Sequence, residues 1–330
     1  KVLIQIPHFF RSIILYQEKI IMAITAKDAA ALRAQTGAGM MDCKKALEAA
    51  NGDMDKATEI LRERGVAVAA KKASRIASEG AVAAYVSADR KTAALVEVNC
   101  ESDFVAKTDD FLNLAGEAAK IVVEANPADV DALLAEKTAD GTVLEAVNNA
   151  TAKIGEKIAI RRFVRKTVNG VAETYIHMGG KIGVLVEVET DKDVADNAEF
   201  IAACHNIAMH VAAFSPKYVC ECQVPAEEVE HEKSILRTQI KNDPKNANKP
   251  EQIVEKMLDG RINKFYKEIC LNDQEFVIDN TVTTAQYLAA VAKKVGATAK
   301  IVGFERMVMG EGLEKKNENF AEEIAKMTNK

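Results

Sequence analysis

The sequence has no tryptophan and few other aromatic residues, which make up 5% of its 330 residues. It also lacks a long apolar run, since no stretch approaches the roughly 18 uninterrupted apolar residues of a membrane-spanning helix. An excess of positive charge is missing as well, because the formal net charge is -5 and the isoelectric point is about 5.7. Sequence-independent binding to nucleic acid needs a basic face. These absences argue against a membrane span and against direct nucleic-acid binding, and they favour a protein or a small molecule as the partner.

The motifs of common enzyme classes are missing too. The chain contains no phosphate-binding loop, no glycine-rich dinucleotide fingerprint and no nucleophile elbow. His231 and Glu232 are not followed by the second histidine of a zinc protease, and His205 and His210 are five apart, on different faces of a helix. We therefore expect no catalytic residues, no cofactor and no metal ligands. The chain is predicted to act through its surfaces rather than through bond chemistry.

Six cysteines are scattered along the chain, unlike the dense spacing of a disulfide framework. The pair Cys220 and Cys222 lacks the two-residue gap of a usual zinc half-site, and no second half-site follows. We expect reduced thiols in a cytoplasmic protein.

The first 21 residues differ from the rest of the chain. Two short apolar clusters, 2–4 and 13–15, are interrupted by Pro7, Arg11 and other polar residues, and no cleavage site of a secretory signal follows. Two interpretations remain open for residues 1–21. The preferred one is a misassigned upstream start, because Met22 reads like a natural start, and the other is an organellar presequence, which would place the protein in an organelle.

Residues 22–65 are predicted to form a bundle of three short helices. Thr25 caps the first helix, the second begins near Met40, and Asp53 caps the third. Gly65 is predicted to end the third helix. Three helices in about forty residues bury little apolar surface, so a module of this size usually binds to another surface.

Residues 66–79 are predicted to be a helical or extended linker between this bundle and the rest of the chain. The segment carries Lys71, Lys72 and Arg75 and has no turn signals. Its positive charge permits contact with RNA, but a solvated tether is the preferred interpretation.

An internal repeat follows at an offset of 90 residues. The tetrapeptide Leu-Val-Glu-Val occurs at 95–98 and again at 185–188. After a slip of one residue, Phe111 falls on Phe200. Further pairs at the same offset are Tyr85 with Tyr175, Lys91 with Lys181 and Asp103 with Asp193. Such self-similarity predicts two copies of one structural unit.

The sequence of each copy predicts two strands, then helices, then a third strand, which lies at 158–164 in the first copy and at 299–308 in the second. This pattern predicts an α+β fold with two duplicated subdomains, 80–167 and 168–310. Each subdomain is expected to pack helices on one face of a small antiparallel sheet.

The second copy is interrupted by an insertion at about 216–270. Two polar helices with sparse apolar positions, roughly 226–241 and 250–269, flank a strong turn signal. So narrow an apolar seam predicts an antiparallel helical hairpin of coiled-coil type that projects from the body. Residues 311–330 are predicted to end the chain with a short helix that docks through an apolar stripe.

Two segments carry the signatures of a known family. TGAGMMDCKKAL at 36–47 and EVNCESDFVAK at 97–107 resemble the two signatures of the elongation factor Ts family. Supporting matches lie at 153–158, at 177–184, at IAMHVAA in 207–213, at 276–277 and at GEGLE in 310–314. The resemblance covers the chain from Met22 to its end.

The resemblance implies a fold and an activity. The fold is a ubiquitin-associated-like three-helix domain, two core subdomains, a coiled-coil hairpin and a carboxy-terminal module. The activity is guanine-nucleotide exchange on a protein partner, elongation factor Tu, which the family binds in its GDP and nucleotide-free forms to release GDP.

The resemblance also implies a site at Ser102, Asp103, Phe104 and Val105, where the family has Thr-Asp-Phe-Val. Phe104 would wedge near the magnesium and phosphate site of the partner. Serine in place of threonine can still cap the following helix. The second copy has Val194 at the position of Phe104, which argues against the alternative that Phe104 is a core residue of the repeat.

Five further contacts with the partner follow from the same resemblance: Met40, Met41, His177, Phe320 and Ile324. For either methionine, packing inside the bundle is an equal alternative, and for His177 the alternative is a strand residue that faces solvent. Two other functions stay open on the sequence alone. One is a binding module without exchange activity, and the other is a metabolic enzyme with its site between the two copies.

Overall fold

The chain folds into an α+β protein, which confirms the predicted class. The computed structural model describes residues 24–36, 38–139, 141–244 and 249–314. The predicted tail helix and the first 21 residues lie outside this range. Within the part of the chain that is described, no helix combines the length and the apolar character needed to cross a bilayer.

The amino-terminal part forms the expected three helices. They are α1 (Ala26–Thr36), α2 (Met40–Ala49) and α3 (Met54–Lys72). Thr25 caps α1, and the Asp53 carboxylate accepts hydrogen bonds from the backbone of Asp55 and Lys56, both at 3.1 Å, at the start of α3. Their shared core is small: Ala29, Leu32, Cys43, Ala46, Leu47, Ala50, Ala57 and Leu61.

The third helix does not end at Gly65, and this prediction was wrong. It continues to Lys72, so the first half of the predicted linker is helical and continuous with the bundle. Gly65 is buried, and a Cβ added there would lie 3.1 Å from Oδ1 of Asn149. A glycine inside a helix costs about 1 kcal/mol relative to alanine. Here it lets α3 pack closely against the later helix Val143–Ile154, which explains why the helix continues.

The first copy of the repeat is a three-stranded antiparallel sheet with helices on one face. The strand order is β1-β2-β5, and two very short strands, β3 and β4, form a separate pair. The elements are β1 (Glu79–Val86), β2 (Thr92–Cys100), α4 (Asp109–Ala125), α5 (Val130–Ala135), β3 (Lys137–Thr138), β4 (Gly141–Thr142), α6 (Val143–Ile154) and β5 (Ala159–Thr167).

The second copy has the same plan, with the hairpin inserted before its last helix and strand. Its sheet has the order β6-β7-β8. The elements are β6 (Gly170–His177), β7 (Ile182–Thr190), α7 (Ala198–Phe214), α8 (Ala226–Asn242), α9 (Glu251–Ile269), α10 (Thr284–Lys294) and β8 (Ala299–Val308).

The duplication extends to fine detail. The register of β2 with β5 shifts between Glu97 and Val98, and that of β7 with β8 shifts at the matching Glu187 and Val188. The predicted one-residue slip is confirmed, because Phe111 and Phe200 are both fully buried on the helix that covers each sheet.

The two sheets pack against each other through the faces that their helices leave uncovered. The Val82 amide donates to the Gly180 carbonyl at 2.8 Å, and the Ala172 amide donates to the Arg90 carbonyl at 2.7 Å. The two hydrogen bonds are equivalent, because their residues correspond at the offset of 90. In each bond, the first strand of one copy contacts the turn after the first strand of the other copy. The shared interior is aliphatic: Val82, Ala93, Leu95, Val168, Ala172, Leu185 and Met307.

The inserted hairpin is confirmed as two antiparallel helices with a narrow seam. Its buried residues are Ile240, Val254, Leu258 and Ile262. Ion pairs link the two helices, Arg237 with Glu255 at 2.8 Å and Lys241 with Glu251 at 3.5 Å.

Cys220 and Cys222 form a disulfide, which corrects the expectation of six reduced thiols. The 3-10 turn Glu221–Gln223 brings their Cα atoms to 5.3 Å, within the range that a disulfide spans. The other four cysteines are buried and free: Cys43, Cys100, Cys204 and Cys270.

A thiol titration tests this pairing. Burial raises the pKa of Cys204 and Cys270 to about 12, which together with inaccessibility suppresses the reactive thiolate. We expect a disulfide-exchange reagent to find almost no reactive thiol in the native, unreduced protein and four after unfolding. Six thiols in the unfolded, unreduced protein would show that Cys220 and Cys222 are not paired.

His210 connects α7 to the segment after the hairpin. It is fully buried, its Nδ1 accepts a hydrogen bond from the Val277 amide at 3.2 Å, and its Nε2 lies 2.9 Å from Oε1 of Gln274. Since an amide can only donate, Nδ1 is unprotonated and Nε2 carries the proton of a neutral ring. Burial lowers the pKa of His210 in the folded protein.

This arrangement makes folding sensitive to acid. His210 is neutral when folded, but in the unfolded chain it binds a proton below pH about 6.5. The stabilising contribution is therefore complete above that pH and is lost as the pH falls. We expect the unfolding free energy of a His210→Gln variant, measured by urea titration, to fall less between pH 6.5 and 5 than that of the wild type. Equal slopes for the two proteins would contradict this.

Candidate functional site

The candidate site is the loop between β2 and α4. β2 ends at the buried Cys100, the loop 101–104 follows, and a single 3-10 turn, Val105–Lys107, precedes α4 at Asp109. The chain therefore changes direction within a few residues at the end of the sheet. This arrangement exposes the tip of the loop while holding both of its ends in regular structure.

Ser102 is fixed by hydrogen bonds at the base of the loop. Its Oγ donates to Oε1 of Glu156 at 2.7 Å, and its amide donates to Oε2 of the same carboxylate at 2.9 Å. Oγ also accepts from the Val105 amide at 3.4 Å, so the serine caps the 3-10 turn. The expected contact of this hydroxyl with the following helix is therefore found at the 3-10 helix, whereas α4 begins only after Thr108.

Asp103 is ionised and partly exposed. Its Oδ2 accepts a hydrogen bond from Nζ of Lys107 at 2.7 Å, one helical turn away. This hydrogen bond, together with the positive charges of Lys107 and Lys181, keeps the pKa of Asp103 below its usual value. The loop therefore presents a carboxylate at neutral pH.

Phe104 projects into solvent at the tip of the loop. The residue is 80% exposed, more than any other large apolar residue in the described part of the chain. Burying such a ring would contribute about 1.5–3 kcal/mol, which this protein does not obtain on its own. In the second copy, the matching Val194 is only 7% exposed and belongs to the core.

The difference between the copies has a local cause. Phe111 follows Asp103 by one residue more than Phe200 follows Asp193. Counted back from these phenylalanines, Val194 therefore aligns with Val105, which packs against the core of the first copy, and Phe104 lies one residue outside that position. The alternative that Phe104 packs in the core is therefore wrong.

Cys100 lies directly beneath the loop. Its Sγ lies 3.1 Å from the Ser102 carbonyl oxygen, and burial, with the nearby negative charge of Glu156, raises the pKa of the thiol to about 12. The residue is a neutral hydrogen-bond donor that supports the loop, and it offers no nucleophile.

Comparison with known proteins decides the family. The family model described as Elongation factor TS matches residues 101–311, which include the loop, strand β5 of the first sheet and the whole second sheet. A curated Elongation factor Ts of Clostridium perfringens is 48% identical over 93% of this chain and 100% of its own length. Those of Clostridioides difficile and Trichlorobacter lovleyi are 48% and 46% identical over 92% of this chain and 98% of their own.

The chain belongs to the elongation factor Ts family. Its relatives place it among the bacterial-type translation elongation factors, with a role in protein biosynthesis.

Two methionines of the signature at 36–47 lie at the surface of the three-helix bundle. Met40 and Met41 form the start of α2 and are 39% and 63% exposed. The alternative that they pack inside the bundle does not hold, since α2 contributes Cys43, Ala46 and Leu47 to its core instead. Phe320 and Ile324 lie outside the described residues.

His177 ends β6 and is half-buried. Its Nδ1 lies 2.9 Å from the Tyr175 hydroxyl. The next residue, Met178, is 72% exposed in a left-handed conformation at φ 50°, so the two begin a protruding turn. Lys181 closes this turn, since its amide donates to the His177 carbonyl at 3.1 Å, and its side chain pairs with Glu79 at 2.8 Å. Because Glu79 lies opposite Cys100 at the end of β2, the turn lies beside the loop.

Sequence reasoning did not assign a role to Glu156, Lys181 or Met178. Glu156 lies within the segment that matches the elongation factor Ts family, but its partner Ser102 is 54 residues away. Only the pairing of β2 with β5 brings the two together.

Proposed function

We propose that this chain is the guanine-nucleotide exchange factor for elongation factor Tu and that it promotes GDP release through Phe104. The observation that carries the proposal is the 80% exposed phenylalanine on a loop fixed at its base. A solvated aromatic ring on a rigid turn is suited to insertion into a pocket of a partner, because little conformational freedom is lost on binding. Family membership supports the choice of partner.

In the proposed mechanism, Phe104 enters the GTPase near its magnesium and phosphate site. The ring displaces partner side chains that support Mg²⁺ coordination and the phosphate loop, so the contacts that hold GDP weaken. Asp103 brings a carboxylate to the same place, where a negative charge disfavours the phosphates by like-charge repulsion. No covalent bond is made or broken, and the free energy of binding between the two proteins drives the release of GDP.

The energetics follow from linkage. If this chain binds the nucleotide-free GTPase more tightly than the GDP form, it must weaken GDP binding by the same factor. Burial of Phe104 only in the nucleotide-free complex would contribute roughly 2 kcal/mol, which is about a 30-fold preference. That contribution lies within the 1–3 kcal/mol typical of coupling between two sites.

Further contacts would hold the partner while the loop acts. We assign this role to Met40 and Met41 on the bundle and to His177 beside the loop, with Phe320 and Ile324 near the end of the chain. Exposed methionines suit an adaptable docking surface. These contacts would contribute similarly to both nucleotide states and would therefore set affinity more than exchange rate.

The preference between nucleotide states is the test of this function. Isothermal titration of this chain into nucleotide-free and GDP-loaded elongation factor Tu should give a dissociation constant at least tenfold lower for the nucleotide-free form. Binding of equal strength to both forms would indicate a binding module without exchange activity.

A further inference from the structure

Glu156 makes a two-point contact that joins the end of α6 to the start of the candidate loop. Both of its carboxylate oxygens are used, one by the Ser102 amide at 2.9 Å and one by the Ser102 hydroxyl at 2.7 Å. Hydrogen bonds to a charged acceptor are roughly twice as strong as neutral ones. The contact therefore fixes both the backbone and the side chain of the residue that precedes Asp103.

The neighbouring residues make the reciprocal contact. The Glu101 carboxylate accepts a hydrogen bond from the Lys157 amide at 2.7 Å and is paired with Arg75 at 3.2 Å. Each of the two segments, 101–102 and 156–157, thus supplies one carboxylate and one amide to the other. Such a double clamp leaves the base of the loop little freedom to shift.

The same clamp is tied to the end of α3. Nζ of Lys157 donates to the carbonyls of Ala73 and Arg75 at 2.7 and 3.0 Å. Lys72 donates to the carbonyl of Gly155, which ends α6. The loop, α6 and the chain that leaves the three-helix bundle are therefore held at one junction.

The second copy retains only half of this clamp. Val98 pairs with Ile160, and the matching Val188 pairs with Ile301, so Ile160 and Ile301 are equivalent positions. Three residues before them lie Lys157 and Thr298, and four residues before them lie Glu156 and Ala297. The Thr298 amide donates to Asp191 at 2.7 Å, which repeats the contact of Lys157 with Glu101. Ala297 has no carboxylate to offer.

The comparison separates scaffold from function. The contact of Glu101 with Lys157 is common to both copies and belongs to the duplicated fold. The contact of Glu156 with Ser102 occurs only in the copy whose loop exposes a phenylalanine. We propose that Glu156 is a positioning residue that holds the Ser102–Val105 loop in the pose from which Phe104 acts; this inference rests on the proposed exchange function.

Kinetics of GDP release from elongation factor Tu, measured against the concentration of this chain, test the role. Glu156→Ala should lower the maximal release rate about tenfold and change the half-maximal concentration less than about twofold, because the contacts that set affinity lie elsewhere. Glu156→Gln should stay within about threefold of the wild type, since its amide can still accept from the Ser102 amide and donate to the hydroxyl. Glu124→Ala, which removes an exposed glutamate paired with Lys120 on α4, is the matched control and should have no effect.

Two further measurements keep the inference falsifiable. Hydrogen exchange should show that Glu156→Ala loses protection at the Ser102 amide and keeps it at the Lys157 amide. If the alanine variant does not fold, Glu156→Asp, which keeps the charge but is one methylene shorter, should show the loss of rate instead.

The outcomes separate this inference from the proposed function. Suppose that the wild type is active and that the Glu156→Ala and Glu156→Asp variants accelerate GDP release from elongation factor Tu to within twofold of its rate. That result would overturn the positioning role alone. A wild type that does not accelerate release would overturn the exchange function itself. A Ser102→Ala change that lowers the rate by the same factor with or without Glu156 would also overturn the role, since the two residues should act through one contact.

Discussion

Replacing Phe104 with alanine should lower the maximal rate of GDP release from elongation factor Tu by about 30-fold and leave the fold intact. The loss reflects roughly 2 kcal/mol of apolar burial that is realised only when the ring enters the partner. The fold should persist because the ring is 80% exposed and makes almost no contribution to the core. Stopped-flow release of a fluorescent GDP gives the rate, and thermal unfolding followed by circular dichroism checks the fold.

A suitable control is Ile253→Ala, which shortens an exposed apolar side chain on the hairpin, 46% exposed and far from the loop in the chain. We expect its release rate to match the wild type within about twofold. A Phe104→Ala protein that folds normally and keeps the full rate would remove the wedge role, whatever its affinity for the partner.

Replacing either buried phenylalanine of the repeat should have the largest effect on stability. Phe111 and Phe200 are fully buried at matching places on α4 and α7. A phenylalanine-to-alanine change in a core typically costs about 3–5 kcal/mol, through lost burial and the cavity that remains. We expect each single variant to lose that much unfolding free energy in urea titrations followed by circular dichroism.

The adjacent residue provides the control for this prediction. Leu112 is 41% exposed on the same helix as Phe111, and Leu112→Ala should cost less than about 1 kcal/mol. Because the two sheets share a buried aliphatic contact, each phenylalanine variant should unfold in one transition at lower urea. A loss below about 1 kcal/mol for both would contradict the assigned core.

Much of the fold could be predicted because the chain contains its own comparison. The repeated Leu-Val-Glu-Val segments locate the central strand of each sheet, and alternation supports the pairing of strands. The one-residue slip before Phe111 was visible in the sequence, and it is the local reason why Phe104 is exposed while Val194 is buried. The hairpin was predictable from its narrow apolar seam.

Features that depend on contacts distant in sequence could not be predicted. Glycine at position 65 is a helix-stop signal locally, and only the packing of α3 against Asn149 explains why the helix continues. The partner of Ser102 is set by strand pairing, so the sequence predicted the contact of its hydroxyl with the following helical turn but not its hydrogen bond to Glu156. The pairing of Cys220 with Cys222 depends on a short 3-10 turn that no pattern in the sequence predicted.

The most direct test of the account is the rate at which GDP leaves elongation factor Tu when this chain is added. With fluorescent GDP bound to the GTPase and unlabelled GDP in excess, micromolar amounts of this chain should raise the dissociation rate with increasing concentration until it saturates. The saturated rate should lie at least about 30-fold above the intrinsic rate, which is the share expected of Phe104. A dissociation rate that stays at the intrinsic value, although the two proteins form a complex, would contradict the account.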